Sequence, residues 1–126
     1  MRIPTRLSLM AAGLLTFGAM GMHTRLVKAE PGIDATINQA PTEVRFWFSD
    51  RTEAALTSAA IMKEDHSPIA TVRMKETDDS LVVAGPVPVK LEPGRYMVMW
   101  KTASKDGHVV RGTYYFTFDP AAEPKP

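Results

Sequence analysis

Tyr96-Met97-Val98-Met99-Trp100-Lys101, then Asp106-Gly107-His108, then Tyr114-Tyr115-Phe116-Thr117-Phe118: this run decides the fold class. Tyr96, Val98 and Trp100 alternate with Met97, Met99 and Lys101, and Tyr114, Phe116 and Phe118 alternate with Tyr115 and Thr117. An extended chain sends successive side chains to opposite faces, so this spacing predicts two strands, each with one buried face. Asp-Gly between them signals a hairpin, because glycine accepts a positive φ without a steric penalty.

Working outward, Val44, Phe46 and Phe48 alternate with Arg45, Trp47 and Ser49, which predicts a third strand. Weaker strand candidates cover residues 24–30, 55–63, 70–75 and 81–84. The alanines of residues 54–62 also admit a helix there. Turn residues separate these runs: Glu30-Pro31-Gly32, Gln39-Ala40-Pro41, residues 65–68, 77–80 and 85–88, and Glu92-Pro93-Gly94. Short strands spaced in this way predict an all-β sandwich or barrel in a single domain, not βαβ units. The Pro- and Ala-rich tail, residues 120–126, is expected to be disordered.

The N-terminal 22 residues read as a removable signal peptide. Arg2 and Arg6 precede an uncharged apolar stretch, residues 7–20, and Ala19-Met20-Gly21 resembles a small-x-small cleavage site. The stretch is short for a membrane span, although an uncleaved anchor is the alternative. Export to the periplasm or cell exterior is the expected localisation. Removing residues 1–22 takes away two of the 15 Lys+Arg and none of the 14 Asp+Glu, so the remaining domain carries a formal charge of −1. That balance gives no electrostatic case for nucleic-acid binding. The absence of cysteine excludes disulfides, thiolate metal sites and thiol nucleophiles.

Three histidines remain for chemistry: His23, His66 and His108. Asp106 and His108 stand two apart, so on an extended segment they project to the same side. The hairpin alone would also account for Asp106 and Gly107, with His108 simply solvent-exposed. His23 has a further possibility at the start of the mature chain. A free α-amine, with an ordinary pKa of about 8, and its own imidazole can chelate one metal together. With the His108 imidazole and an Asp106 oxygen the set becomes three nitrogens and an oxygen. A tetragonal N/O set suits Cu(II), the strongest binder of the divalent series, whereas zinc prefers a tetrahedral set.

These segments resemble the CopC family of periplasmic copper-binding and copper-resistance proteins. The resemblance runs from His23 to Phe118. It is carried by His23-Thr24-Arg25-Leu26-Val27 with Glu30-Pro31-Gly32, and by Gln39-Ala40-Pro41 with Val44-Arg45-Phe46-Trp47-Phe48-Ser49-Asp50. The strongest part is Leu91-Glu92-Pro93-Gly94-Arg95-Tyr96 through Trp100, Ser104-Lys105-Asp106-Gly107-His108, and Gly112-Thr113-Tyr114 with Phe116. It implies an Ig-like Greek-key β-sandwich over residues 23–119 and one Cu(II) held by His23, Asp106 and His108. It also implies Asp50 as an acidic neighbour of that site, with a side chain shorter than the family's glutamate. Some members hold Cu(I) in a methionine-rich loop. Here that region keeps only Met62 and His66, a poor ligand set for a soft ion.

The implied role is a monomeric, non-enzymatic copper carrier that buffers the ion or passes it to a CopD-type membrane transporter. Two other classes stay open: an oxidative copper enzyme using the N-terminal histidine chelate, and a metal-free Ig-like interaction module. The cleavage position bears on all three. The small-x-small rule places the cut before Met22, whereas the family pattern places it before His23.

Overall fold

Alternation becomes strand wherever the chain can bury one face and leave the other in water. In the computed structural model, which describes residues 24–123, β3 (Glu43–Phe48) buries Val44, Phe46 and Phe48 and leaves Glu43 exposed. β8 (Gly94–Ala103) turns Tyr96, Val98, Trp100 and Thr102 inward, and β9 (Val109–Phe118) does the same with Tyr114, Phe116 and Phe118. These two strands pair along their whole length, from Gly94↔Phe118 to Ala103↔Val109.

The remaining strands are β1 (Leu26–Glu30), β2 (Thr36–Ile37), β4 (Ser58–Lys63), β5 (Pro68–Arg73), β6 (Lys75–Glu76) and β7 (Val82–Pro86). They form two sheets, in the orders β1-β3-β7-β6 and β2-β9-β8-β4-β5. The fold is the all-β sandwich of one domain that the alternation predicts. Among the described residues no helix is long and apolar enough to cross a membrane.

The core lies between the sheets. Phe46, Phe116, Ile61, Leu91, Val44, Val72 and Val98 are fully buried. Edge-to-face rings link the layers: Phe48 meets Trp100 at 5.7 Å between centroids, and Phe46 meets Tyr114 at 6.4 Å. Such pairs add about 0.5–1.5 kcal/mol each beyond their buried area. Gly112 lies beneath Trp100 in register, and a Cβ there would come within 2.5 Å of the indole.

The weaker strand candidates shift where the chain changes sheet. The segment read as one strand over residues 55–63 begins instead with a 3-10 turn, Ala54–Leu56, before β4. The buried Thr57 hydroxyl closes this turn, donating to the Glu53 carbonyl at 2.7 Å and sharing a hydrogen bond with Thr102 Oγ1. Residues 70–75 divide likewise, because the chain leaves one sheet after Arg73 and joins the other at Lys75, with Met74 buried at the corner. Gly85 and Pro86, read as a turn, are strand residues of β7. β7 passes so close to Arg73 that a Cβ on Gly85 would sit 2.2 Å from its carbonyl oxygen. Glycine there serves close approach, not chain reversal. In the tail, Ala121 N donates to Asp119 Oδ1 and Ala122 N to the Asp119 carbonyl, forming a turn.

Candidate metal centre

Three chain segments meet at one end of the sandwich. β1 and β3 are in register at Leu26↔Phe48. Just beyond, Ser49 N donates to the Arg25 carbonyl and Arg25 N to Ser49 Oγ, both at 2.8 Å. Thr24, the first described residue, is buried there, and Asp50 follows Ser49 at the same end. The chain then bridges to β8, with Thr52 paired to Ser104 and Glu53 N donating to the Ala103 carbonyl. The β8–β9 turn, residues 104–108, caps this end. A shallow depression beside it is lined by Thr24, Trp100, Val110, Arg111 and Gly112.

The turn is a three-residue loop, not the two-residue Asp-Gly hairpin that the dipeptide most simply suggests. Gly107 N donates to the Ser104 carbonyl at 2.9 Å, and Ser104 N to the His108 carbonyl at 3.0 Å. Gly107 takes φ +86°, the left-handed residue that closes such a loop. With the reversal absorbed by glycine, His108 sits where β9 is about to begin and faces Asp106.

Asp106 is the hub of the turn. Its Oδ1 accepts from the Ser104 hydroxyl and from His108 N at 3.1 Å, and its Oδ2 lies 2.8 Å from His108 Nδ1. The Ser104 hydroxyl, followed by the His108 ring and backbone N–H, holds the carboxyl well below the usual carboxylate range. An ionised carboxylate can only accept, so in the neutral ring the proton belongs on Nδ1 and the lone pair on Nε2. The two side chains are 75% and 64% exposed, so Nε2 faces solvent. This is the usual arrangement of a metal-binding histidine, with one nitrogen oriented by a carboxylate and the other free for the ion.

The structure thus brings Asp106 and His108 together. His23 lies outside the described residues, as does the signal segment, residues 1–22. Asp50 stands at the same end, but its Oδ1 accepts from Arg51 N at 2.8 Å, and no hydrogen bond among the described residues joins it to Asp106 or His108. Among the described residues no group of three or more His, Cys, Asp or Glu side chains could hold a metal. Ser104, to which the sequence reading gives no role, orients Asp106. Its signal was a serine two residues before an aspartate in a turn.

Met62 and His66 fall elsewhere. Lys63 pairs with Tyr96 near the start of β8, eight residues from Ser104, which puts the two ends about 25 Å apart. His66 is exposed in the β4–β5 turn at φ +69°. Met62 lies on the outer face of β4, in register with Met97.

Residues 26–119 match the model of the CopC domain. The chain belongs to the CopC domain family. Protein YobA of Escherichia coli (strain K12) is 29% identical over 112 residues, covering 88% of this chain and 90% of that one. Copper resistance protein C of Pseudomonas syringae pv. tomato is 28% identical over 117 residues, covering 86% and 90%. Among solved structures, CopC from Methylosinus trichosporium OB3b superposes with a TM-score of 0.71 at 29% identity, over 82% of this chain and all of that one. PcoC, a methionine-rich copper resistance protein from Escherichia coli, gives 0.64 at 26% identity, over 77% and 99%.

Proposed function

We propose that this CopC-domain protein is an exported, non-enzymatic carrier of a single Cu(II) ion. The observation that carries the reading is the Asp106–His108 pair, with Nδ1 held at 2.8 Å from a carboxylate and Nε2 free. Relatives named as copper resistance proteins support copper as the cargo. His108 supplies a ring nitrogen, and Asp106, which holds the ring at Nδ1 in the metal-free turn, exchanges that contact for the ion and supplies an oxygen. Thr24, the residue that follows His23 in the sequence, sits at the same end of the sandwich, which supports His23 as a further ligand. If signal cleavage leaves His23 first, its α-amine joins the set, and three nitrogens with one oxygen suit Cu(II). Each imidazole and the amine must be deprotonated to bind, so uptake releases protons and weakens in acid.

The carrier acts outside the cytoplasm as a monomer, buffers the ion, and hands it to a CopD-type membrane transporter. An Asp106 oxygen in the ligand set leaves less room for oxygen activation, which favours carriage over the oxidative enzyme. The metal-free module predicts no Cu(II) binding at all.

The deciding experiment combines mass spectrometry of the exported protein's N-terminus with a Cu(II) titration followed by the d–d band. The carrier reading expects His23 as the first residue, saturation at one equivalent, no peroxide production with a reductant, and weaker binding after a one-residue N-terminal extension. Absence of a copper-dependent band, or copper-dependent turnover, overturns it.

A further inference from the structure

One row across the outer face of the five-stranded sheet breaks the usual rule of sheet pairing. Arg73, Ser58, Lys101 and Arg111 are successive register partners on β5, β4, β8 and β9. Residues in one row share a face, so three exposed cations lie along about 14 Å of sheet, with Ser58 between Arg73 and Lys101. Lys101 and Arg111 are directly opposite each other, a like-charge placement that destabilises a strand pair. Among the described residues none of the three forms an ion pair, whereas Lys28, Arg45 and Arg95 each pair with a glutamate.

The row borders a groove that reaches toward the metal-binding turn. Leu56, Val109, Arg73, Lys75, Lys101 and Arg111 line it, and no carboxylate does. Leu56 and Val109 are more than half exposed, giving the groove an apolar wall beside its cations. Val109 follows His108 directly, and Arg111 is three residues on, about 10 Å along the strand. Glu53, Glu76, Asp78 and Asp79 line a separate cleft, and neither Asp50 nor Asp106 lines the groove.

We propose that this row docks an acidic segment, carrying apolar side chains, of the protein that exchanges metal with the His108 turn. The proposal rests on the carrier reading and names its partner's chemistry. Charge complementarity selects an acidic occupant, and Leu56 and Val109 give it an apolar contact. The patch is only four strands wide on a domain whose net charge is not positive, which fits a peptide segment better than an extended anionic membrane. A segment seated there would bring its own side chains beside the His108 turn.

The test titrates the isotopically labelled full mature protein with a hexaglutamate peptide, and separately with phosphatidylglycerol vesicles, at low and high salt. Expected are salt-sensitive amide shifts centred on Lys101 and Arg111, and affinity reduced by about tenfold in Lys101→Glu. The same variant is expected to melt higher than the parent, because it replaces a like-charge pair by an opposite one, and to bind Cu(II) unchanged. A merely structural lysine would not show that combination. No peptide binding, shifts spread evenly over the surface, equal affinity in Lys101→Glu, or preference for the vesicles overturns the docking proposal. Peptide binding is read without metal, so a parent protein that takes up no copper would overturn the carrier reading and leave the docking result standing.

Discussion

The two turns that carry the described histidines use the same residues to opposite effect. In residues 63–67, Asp65 Oδ1 accepts from Ser67 N and from the Ser67 hydroxyl, and His66 itself takes the left-handed position at φ +69°. In residues 104–108, Gly107 takes that position, and His108 both donates its backbone N–H and pairs its ring with Asp106. One turn spends its aspartate on a serine and leaves the imidazole without a carboxylate partner in that turn. The other uses serine and aspartate together to orient an imidazole. Which residue absorbs the positive φ decides whether the histidine is presented to a ligand.

The largest expected difference between the turns is in copper affinity. His108→Ala should weaken Cu(II) binding by more than about 100-fold, beyond the roughly 10–100-fold carried by groups that only orient a ligand. His66→Ala should leave it unchanged. Competition titration against a chelator of known affinity reads both. Equal effects of the two substitutions would erase the functional contrast.

Stability separates the turns next. Gly107→Ala forces a side chain into φ +86° and should cost about 1 kcal/mol while misdirecting His108. His66→Gly removes the same strain and should stabilise the domain by up to about 1 kcal/mol. Denaturant midpoints of the metal-free protein check both signs. A destabilised His66→Gly would mean that the imidazole makes a contact which outweighs its backbone strain.

The smallest effect is on the two aspartates. Both carboxyls are held below their ordinary value, Asp106 chiefly by the Ser104 hydroxyl and Asp65 chiefly by that of Ser67. A depressed carboxyl contributes stability that is fully present above its unfolded pKa, about 4, and is lost as pH falls through the folded value. Ser104→Ala and Ser67→Ala should therefore each raise the pKa of their own aspartate and move that loss to higher pH. Carboxyl carbon titration by NMR in the metal-free protein reads the shifts. Both turns are exposed, so the effect on melting should be slight.

Much of the fold was legible because period-2 alternation is a direct consequence of burying one face of a strand. Val44 to Phe48 and Tyr114 to Phe118 followed it, and Tyr96 to Trp100 departed from it only at Met97, which is buried on the opposite face. The Ala54–Leu56 turn, the Met74 corner and the strand role of Gly85-Pro86 were not legible. Each arises where the chain changes sheets or passes close to another strand, and those neighbours are far away in sequence. In the site, Asp106 and His108 were legible as a pair, but they meet across the turn at Gly107 and not along an extended segment, and Ser104 became visible only through its hydrogen bond.

By itself, then, the sequence determined an all-β domain, the absence of thiol chemistry, and a carboxylate–imidazole pair two residues apart, because these depend on residue type and local period. Only the tertiary structure decided which histidine has an oriented ring and which end of the sandwich the chain enters. It alone aligned Arg73, Lys101 and Arg111 in one row. Register between strands is a property of the packed sheet, and no local pattern in the chain contains it.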